Sequence, residues 1–255
     1  MERKQLDVDV VVLGGGCVGL FIAWRLLQRG YSVALIERNR ELANSPSTRN
    51  EGWLHAGTYG AVAIDDAVAA NIVAQRCQYG FNIIERHFPD ALVQEWLTPT
   101  LAVLTNTAMI DHVVDRWNFS GVQYREVSNA QAKKEAPEFL FPEKCLTFKV
   151  QERSMDTRYL LDSVLRACQA YPTFHLMLHS HAFALQENTV LIEDWDTADP
   201  VGSVTAHTFI YSAGAGIADL VQRFHNQSLD VRAFKTPLIV AERILGANIV
   251  CLMPQ

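Results

Sequence analysis

One segment constrains this chain more than any other. From Val10 to Arg38 it reads VVVLGGGCVGLFIAWRLLQRGYSVALIER: a β-branched run, a glycine turn, a helix-length stretch, and a second apolar run ending on an acid. Val10 to Leu13 has no polar break and suits a strand buried on both faces of a parallel sheet. Gly14 permits the tight turn at the strand end, Gly16 lets the backbone approach a pyrophosphate, and Gly19 lets the following helix pack closely on the strand. A helix over Val18 to Arg29 offers its first N–H groups and positive dipole end to phosphates. It turns Leu20, Ala23, Trp24 and Leu27 toward the sheet and stops at Gly30. Tyr31 to Ile36 forms the second strand. Glu37 stands 18 residues beyond Gly19, where an acid accepts hydrogen bonds from a ribose 2′-hydroxyl and repels a 2′-phosphate. Strand, helix and acid agree, and that context turns a glycine pattern into a dinucleotide-binding unit. The bland reading is a tight turn with no ligand.

Length and composition narrow the rest. The chain has 255 residues, enough for one large domain or two smaller ones. Its net charge is −6 with no lysine- or arginine-rich cluster, so nucleic acid is not an expected partner. No apolar stretch approaches a membrane span. The charged start followed by an apolar run is read as the first strand, not as a signal peptide, because Asp7 and Asp9 interrupt it and it enters the glycine turn directly. Cys17, Cys77, Cys145, Cys168 and Cys251 are odd in number and contain no C-x-x-C pair, which points to reduced thiols in a cytoplasmic protein. There is no nucleophile-elbow serine with triad partners and no Walker A lysine. Hydrolase and phosphate-transfer readings are therefore set aside.

Beyond Glu37, Ser45-Pro46-Ser47 marks a loop. Ser47 to Gly60, STRNEGWLHAGTYG, mixes glycine, polar and aromatic residues as pocket-lining segments do. Helices are predicted over Asp65 to His87, Ala108 to Phe119, a short stretch after Ser128-Asn129-Ala130, Asp156 to Tyr171 (with Asp156 or Thr157 as N-cap) and Ile217 to Phe224. Strands are predicted over Leu101 to Thr105, Val122 to Val127, Leu146 to Val150, Phe174 to Leu185 paired with Thr189 to Trp195, Val204 to Tyr211, Pro237 to Glu242 and Ile249 to Met253. A second small-residue turn, Ser212 to Gly216, precedes the last helix.

Three segments together resemble the FAD-dependent oxidoreductases of the D-amino-acid oxidase type. They are the glycine turn with Glu37-Arg38; Ser47 to Gly57, STRNEGWLHAG; and Met155-Asp156-Thr157-Arg158 opening a helix, followed by Phe209 to Gly216. The second is similar to the flavin-proximal loop of the branch holding L-2-hydroxyglutarate oxidase and FAD-linked glycerol-3-phosphate dehydrogenase. The resemblance implies an α/β fold: a Rossmann-like FAD-binding βαβ domain over residues 5–95 and 150–225, with a partial mixed-sheet substrate domain over 96–149 and 226–255. It implies that Gly14, Gly16 and Gly19 face the FAD pyrophosphate, that Glu37 holds the ribose, and that Arg38 flanks the adenine. Ser47, Thr48, Arg49, Asn50 and Gly52 would line the cofactor, Ala182 would meet the adenine, and Ala213 and Gly214 would pass close by. The expected reaction is oxidation of a small amine or 2-hydroxy acid by hydride transfer to flavin. Members of the family continue into a third glycine-rich segment that this sequence lacks. The chain is therefore expected to be truncated or split, with a complementing C-terminal segment or a homo-oligomer as partner. Two other readings stand beside this one: a non-catalytic FAD-binding fragment, and an NAD-dependent dehydrogenase, against which the Ser47–Gly57 loop argues.

Arg49 and His55 are the candidates nearest the chemistry. A cation beside the flavin N1/C2=O region stabilises the reduced anion; the alternative for Arg49 is a loop arginine held by backbone carbonyls. His55 is read first as a structural histidine in a turn, since it shows no partner in the sequence, and second as a proton acceptor or flavin contact. His175, His179 and His181 share parity on one predicted strand, but lack a third metal ligand at suitable spacing, so no metal is expected. Trp53 and Tyr59 are read as packing residues, and Lys133-Lys134-Glu135 as a solvated helix face.

Overall fold

The computed structural model describes residues 4–42, 46–93, 100–231 and 247–252. In chain order the elements are β1 (Lys4–Leu13), α1 (Cys17–Gln28), β2 (Val33–Ile36), β3 (Trp53–Leu54), α2 (Ala67–His87) and β4 (Thr100–Leu104). Next come α3 (Ile110–Ser120), β5 (Tyr124–Val127), α4 (Asn129–Glu135), β6 (Leu146–Val150), β7 (Arg153–Ser154) and α5 (Thr157–Gln169). The last are β8 (Phe174–Met177), β9 (Ser180–Gln186), β10 (Thr189–Asp194), β11 (Pro200–Tyr211), α6 (Ile217–His225) and β12 (Ile249–Leu252). The expected strand at Pro237 to Glu242 lies outside the described residues, as do Ser45 and Met253.

The chain forms two compact units, Met1–Asn50 with Thr157–Leu238 and Glu51–Asp156 with Ile239–Gln255. The first is built on a six-stranded sheet in the order β8-β2-β1-β11-β10-β9. Its first four strands are parallel, and β10 and β9 join antiparallel. The β-branched run at Val10 to Leu13 is buried throughout, as a central parallel strand covered on both faces must be. Leu20, Ala23, Trp24 and Leu27 are buried on α1, which packs against α5. Helix α1 ends at Arg29, and Gly30 follows at φ +85°.

One predicted element divides. Phe174 to Leu185 is not a single strand: β8 pairs parallel with β2, whereas β9 pairs antiparallel with β10. Between them the Ser180 N–H donates to the Glu37 carbonyl and the His179 N–H to the Asn39 carbonyl, both at 3.0 Å. The chain is thus turned at the end of β2, with His179 at φ +54°. His175 lies on β8, His179 in the turn and His181 on β9, so the three histidines do not share one strand face. Among the described residues no group of three or more His, Cys, Asp or Glu side chains is arranged to hold a metal ion.

The second unit carries a four-stranded sheet, β12-β4-β6-β5, and the short pair β3-β7. Its core gathers on Trp117 and Phe148, whose rings meet edge-on at 5.2 Å, with Ala61, Val62, Ala74, Val113 and Leu104 around them. Residues 51–93 pack within this unit: they contribute Ala61, Val62 and Ala74 to that core, and β3 pairs with β7. Lys133 and Lys134 are exposed on α4, whereas Glu135 is half-buried and pairs with Lys149 at 2.5 Å.

Helix starts follow their capping residues. Asp66 accepts from the Ala69 N–H at 2.7 Å and Ser128 from the Gln131 N–H at 3.2 Å. Asp66→Ala is expected to cost about 1 kcal/mol of stability, read by urea unfolding. Gly80 sits inside α2, and a methyl group added to it would meet nothing within 4 Å. Gly80→Ala is therefore expected to add about 0.5–1 kcal/mol in the same assay, through helix propensity alone.

Candidate functional site: a glycine turn and a buried glutamate

In the first unit the turn after β1 is packed without slack. Gly14 has φ +109°, and a Cβ there would stand 2.6 Å from the Ser212 carbonyl oxygen. A Cβ on Gly19 would stand 1.9 Å from the Gly14 carbonyl oxygen. Ser212 explains the closeness: its N–H donates to the Leu13 carbonyl at 2.8 Å, and its hydroxyl lies 3.0 and 2.9 Å from the Leu13 and Gly14 carbonyls. The second small-residue turn is thus locked onto the first, with the Ala213 Cα 2.9 Å from where a Gly14 Cβ would be. Gly216 ends a 3₁₀ turn that begins at Gly214, which has φ +54°.

Helix α1 opens on Gly16, which supplies no capping side chain, and its first turn holds no acid. Ser47, in the 3₁₀ turn Pro46–Thr48, accepts from the Cys17 N–H at 3.1 Å. The segment running into Arg49 and Asn50 is thereby brought to the helix N-terminus, where Asn50 donates to the Ser47 carbonyl at 2.9 Å. Burial pushes the Cys17 thiol up, so it offers no thiolate there. Glu37 is buried at the end of β2. One of its oxygens accepts from the Gly15 N–H at 2.7 Å and the other from the Asn39 N–H and side chain at 2.9 and 2.6 Å. Arg38 lies over the Trp195 ring at 5.4 Å. The two border a cavity of about 350 Å³ that Asn39, Arg40, Glu41, His179 and Asp196 also line. Ala182 is buried on β9 in the core of the sheet.

In the second unit the Ser47–Gly60 loop continues around a residue that sequence reasoning passed over. The side chain of Glu152 is 1% exposed. Its Oε2 accepts from Trp53 Nε1 at 2.6 Å and lies 3.0 Å from His55 Nδ1. Its Oε1 accepts from the Ala56 and Thr58 N–H groups, both at 3.2 Å. Its carbonyl accepts from the Thr100 hydroxyl at 2.9 Å. Gly52 closes the loop base at φ +64°, its carbonyl accepting from the Met155 N–H at 2.7 Å. Burial alone pushes the Glu152 carboxyl up, but the hydrogen bond and charge of His55, with the bonds from Thr58 and Trp53, outweigh it and hold the group below its ordinary value. His55 moves the other way. Its bond to Glu152 raises it, against burial, with further help from the charges of Glu152 and Glu51. Trp53 is thus tied by its ring nitrogen to an acid, and Tyr59 is exposed.

Residues 9–251 match the sequence profile of the DAO family, described as FAD dependent oxidoreductase. The chain belongs to the DAO family of FAD-dependent oxidoreductases. L-2-hydroxyglutarate dehydrogenase of Indibacter alkaliphilus is 27% identical over 107 residues, covering 41% of this chain and 25% of that protein. Glycerol 3-phosphate oxidase of Mycoplasma genitalium is 40% identical over 50 residues, covering 20% of this chain and 13% of that protein. Among solved structures, glycine oxidase from Geobacillus kaustophilus shares the fold with TM-score 0.63 at 17% identity, over 86% of this chain and 58% of that one. L-alpha-glycerophosphate oxidase from Mycoplasma pneumoniae, solved with FAD bound, gives TM-score 0.65 at 18% identity, over 86% and 57%. The chain thus spans little more than half the length of these two structural neighbours.

FAD is the cofactor of the DAO family, and the first unit of this member has a donor set that fits it. A helix N-terminus with no acid and no capping side chain of its own suits a pyrophosphate, a buried carboxylate at the end of β2 suits ribose hydroxyls, and the glycine turn leaves no side chain in the way. Of the residues singled out in the sequence, the structure gathers Gly14, Gly16, Gly19, Glu37, Ser47, Ala213 and Gly214 around one turn. Arg38 lies at the cavity beside Trp195. Gly52 and His55 belong to the second unit. Glu152 was not singled out in the sequence, and Ser212 only as the first residue of the second small-residue turn. Among the described residues no helix is long and apolar enough to cross a membrane.

Proposed function

We propose that this DAO-family chain serves the oxidation of a small 2-hydroxy acid or amine, with His55 as the proton acceptor. The observation that carries the reading is the His55 imidazole, bonded through Nδ1 to a buried carboxylate while 43% of its side chain remains exposed. A histidine so placed has a fixed face for proton uptake and a built-in counter-charge. When bound, FAD supplies the two-electron acceptor. In the first unit, Gly14, Gly16, Gly19 and the α1 N-terminus hold the pyrophosphate, Glu37 the ribose, and Arg38 with Ala182 the adenine. Ser47, Thr48 and Asn50 line the chain beyond, and Arg49 supplies positive charge toward the reduced ring. The five free cysteines accord with a reducing, cytoplasmic setting.

The reading is tested by purifying the full chain, recording its visible spectrum, and titrating 2-hydroxy acids and amines without oxygen. A flavin spectrum that bleaches with one of them is the expected result; a protein that takes up no flavin overturns it. The 58% coverage of a structural neighbour favours a second reading, in which the chain holds FAD but completes no substrate site alone. A flavin spectrum that no candidate bleaches would select that one. Because the neutral imidazole is the accepting form and His55 titrates above 6.5, the bleaching rate is expected to rise with pH through that raised value.

A further inference from the structure

We propose that Glu152 is a positioning residue: its buried carboxylate holds His55 as the Nδ1–H tautomer, so that Nε2 alone is left to take the substrate's proton. The inference rests on the reading of His55 as proton acceptor. An ionised carboxylate can only accept hydrogen bonds. Oε1 already accepts two backbone N–H groups and Oε2 the Trp53 indole. Held below its ordinary value by these partners, the acid is ionised near neutral pH and has no proton to give, so at the 3.0 Å contact His55 Nδ1 is the donor. In the neutral ring the proton then sits on Nδ1 and the lone pair on Nε2. Nε2 is left nearest Glu51, at 3.9 Å and itself 59% exposed, which is too far for a good hydrogen bond.

The scaffold keeps the pair rigid. The Glu152 carbonyl is held by Thr100 of β4, and the loop that bears His55 is bound to the same carboxylate on either side of it, at Trp53 and at Ala56. Among the described residues, the titratable groups facing the pair are Glu51 on its own loop and Cys77 of α2. The Cys77 thiol is raised first by its own burial and then by the Glu152 charge, so it stays neutral. When the substrate's O–H or N–H bond breaks, the proton forms Nε2–H and the imidazolium faces an anion already in place. The electron pair would leave with the carbon-bound hydrogen as hydride, for which FAD, when bound, would supply the two-electron acceptor.

The test is a two-bond ¹H–¹⁵N spectrum of the full-length wild-type protein above the His55 titration, with His55→Asn identifying the signals. Protonated Nδ1 with a bare Nε2 is expected; the Nε2–H tautomer, or a mixture of both, overturns the proposal. In Glu152→Gln the titration of His55 should move down, and in Glu51→Gln it should move less. A larger shift in Glu51→Gln also overturns it. If Glu152→Gln does not fold, the wild-type tautomer decides. The two readings fail separately. Anaerobic bleaching retained in His55→Asn sinks the proton-acceptor reading whatever the tautomer. A wrong tautomer in a protein whose His55→Asn form no longer bleaches sinks the role of Glu152 alone.

Discussion

Glu152→Ala is expected to lower the unfolding free energy by about 3–5 kcal/mol, because it strips the acceptor from several buried donors at once. The Ala56 and Thr58 N–H groups and the Trp53 indole all end on this one carboxylate. A buried donor left without an acceptor costs about 1–3 kcal/mol each, and domain stabilities are about 5–15 kcal/mol. Urea unfolding beside Glu51→Ala measures the effect. The exposed Glu51 should change stability by less than about 0.5 kcal/mol, and a comparably small loss for Glu152→Ala would mean that the carboxylate does not hold the loop. The pH dependence follows from the two opposite shifts. The folded Glu152 carboxyl titrates below 4.5, so its contribution is present above that value and is lost as pH falls through the folded one. The folded His55 titrates above 6.5, so its contribution is complete below that value and is lost as pH rises through the folded one. Between 4.5 and 6.5 both are in force. The stability gap between wild type and Glu152→Ala should therefore be widest in that window and narrow on both sides of it.

Gly19→Ala is expected to reduce FAD affinity by at least about 100-fold, which corresponds to roughly 2.7 kcal/mol. The added methyl would stand 1.9 Å from a backbone oxygen and 2.7 Å from the Ser212 hydroxyl. Neither α1 nor the turn can yield without displacing the N–H groups that suit the pyrophosphate. Gly30→Ala is the control: it meets nothing within 4 Å but has φ +85°. It should cost about 1 kcal/mol of stability through its backbone and leave FAD affinity unchanged. Equilibrium titration of the apoprotein with FAD, followed by flavin fluorescence, reads both variants. Equal affinity in Gly19→Ala and wild type would remove the turn from the cofactor site.

The βαβ unit was legible because its rules are local. Val10 to Leu13 is a buried parallel strand, and Leu20, Ala23, Trp24 and Leu27 are one face of one helix. Periodicity reports both. The failure at Phe174 to Leu185 was also local in origin. An apolar run carries no mark of which neighbour it pairs with, and it took two backbone hydrogen bonds, from His179 and Ser180 to residues 39 and 37, to break the run into strands with different partners. The packing of 51–93 was hidden for a similar reason: Ala61, Val62 and Ala74 are small residues whose burial with Trp117 and Phe148 is a packing outcome. Glu152 did leave a trace. Phe148, Val150, Glu152 and Ser154 share parity, and all four are buried. An acid in step with a buried alternation is one that must find partners.

The order of glycines, apolar runs and Glu37 by itself determined the dinucleotide-binding unit, since a tight turn, a close helix and an acid at a strand end each depend on residues within about one βαβ length. Which groups complete the turn and which acid serves His55 were decided only in three dimensions. Ser212 reaches Gly14 across 198 residues and Glu152 reaches His55 across 97. Hydrogen bonds over such separations are chosen by how sheets stack and loops close, and no short window of sequence contains them.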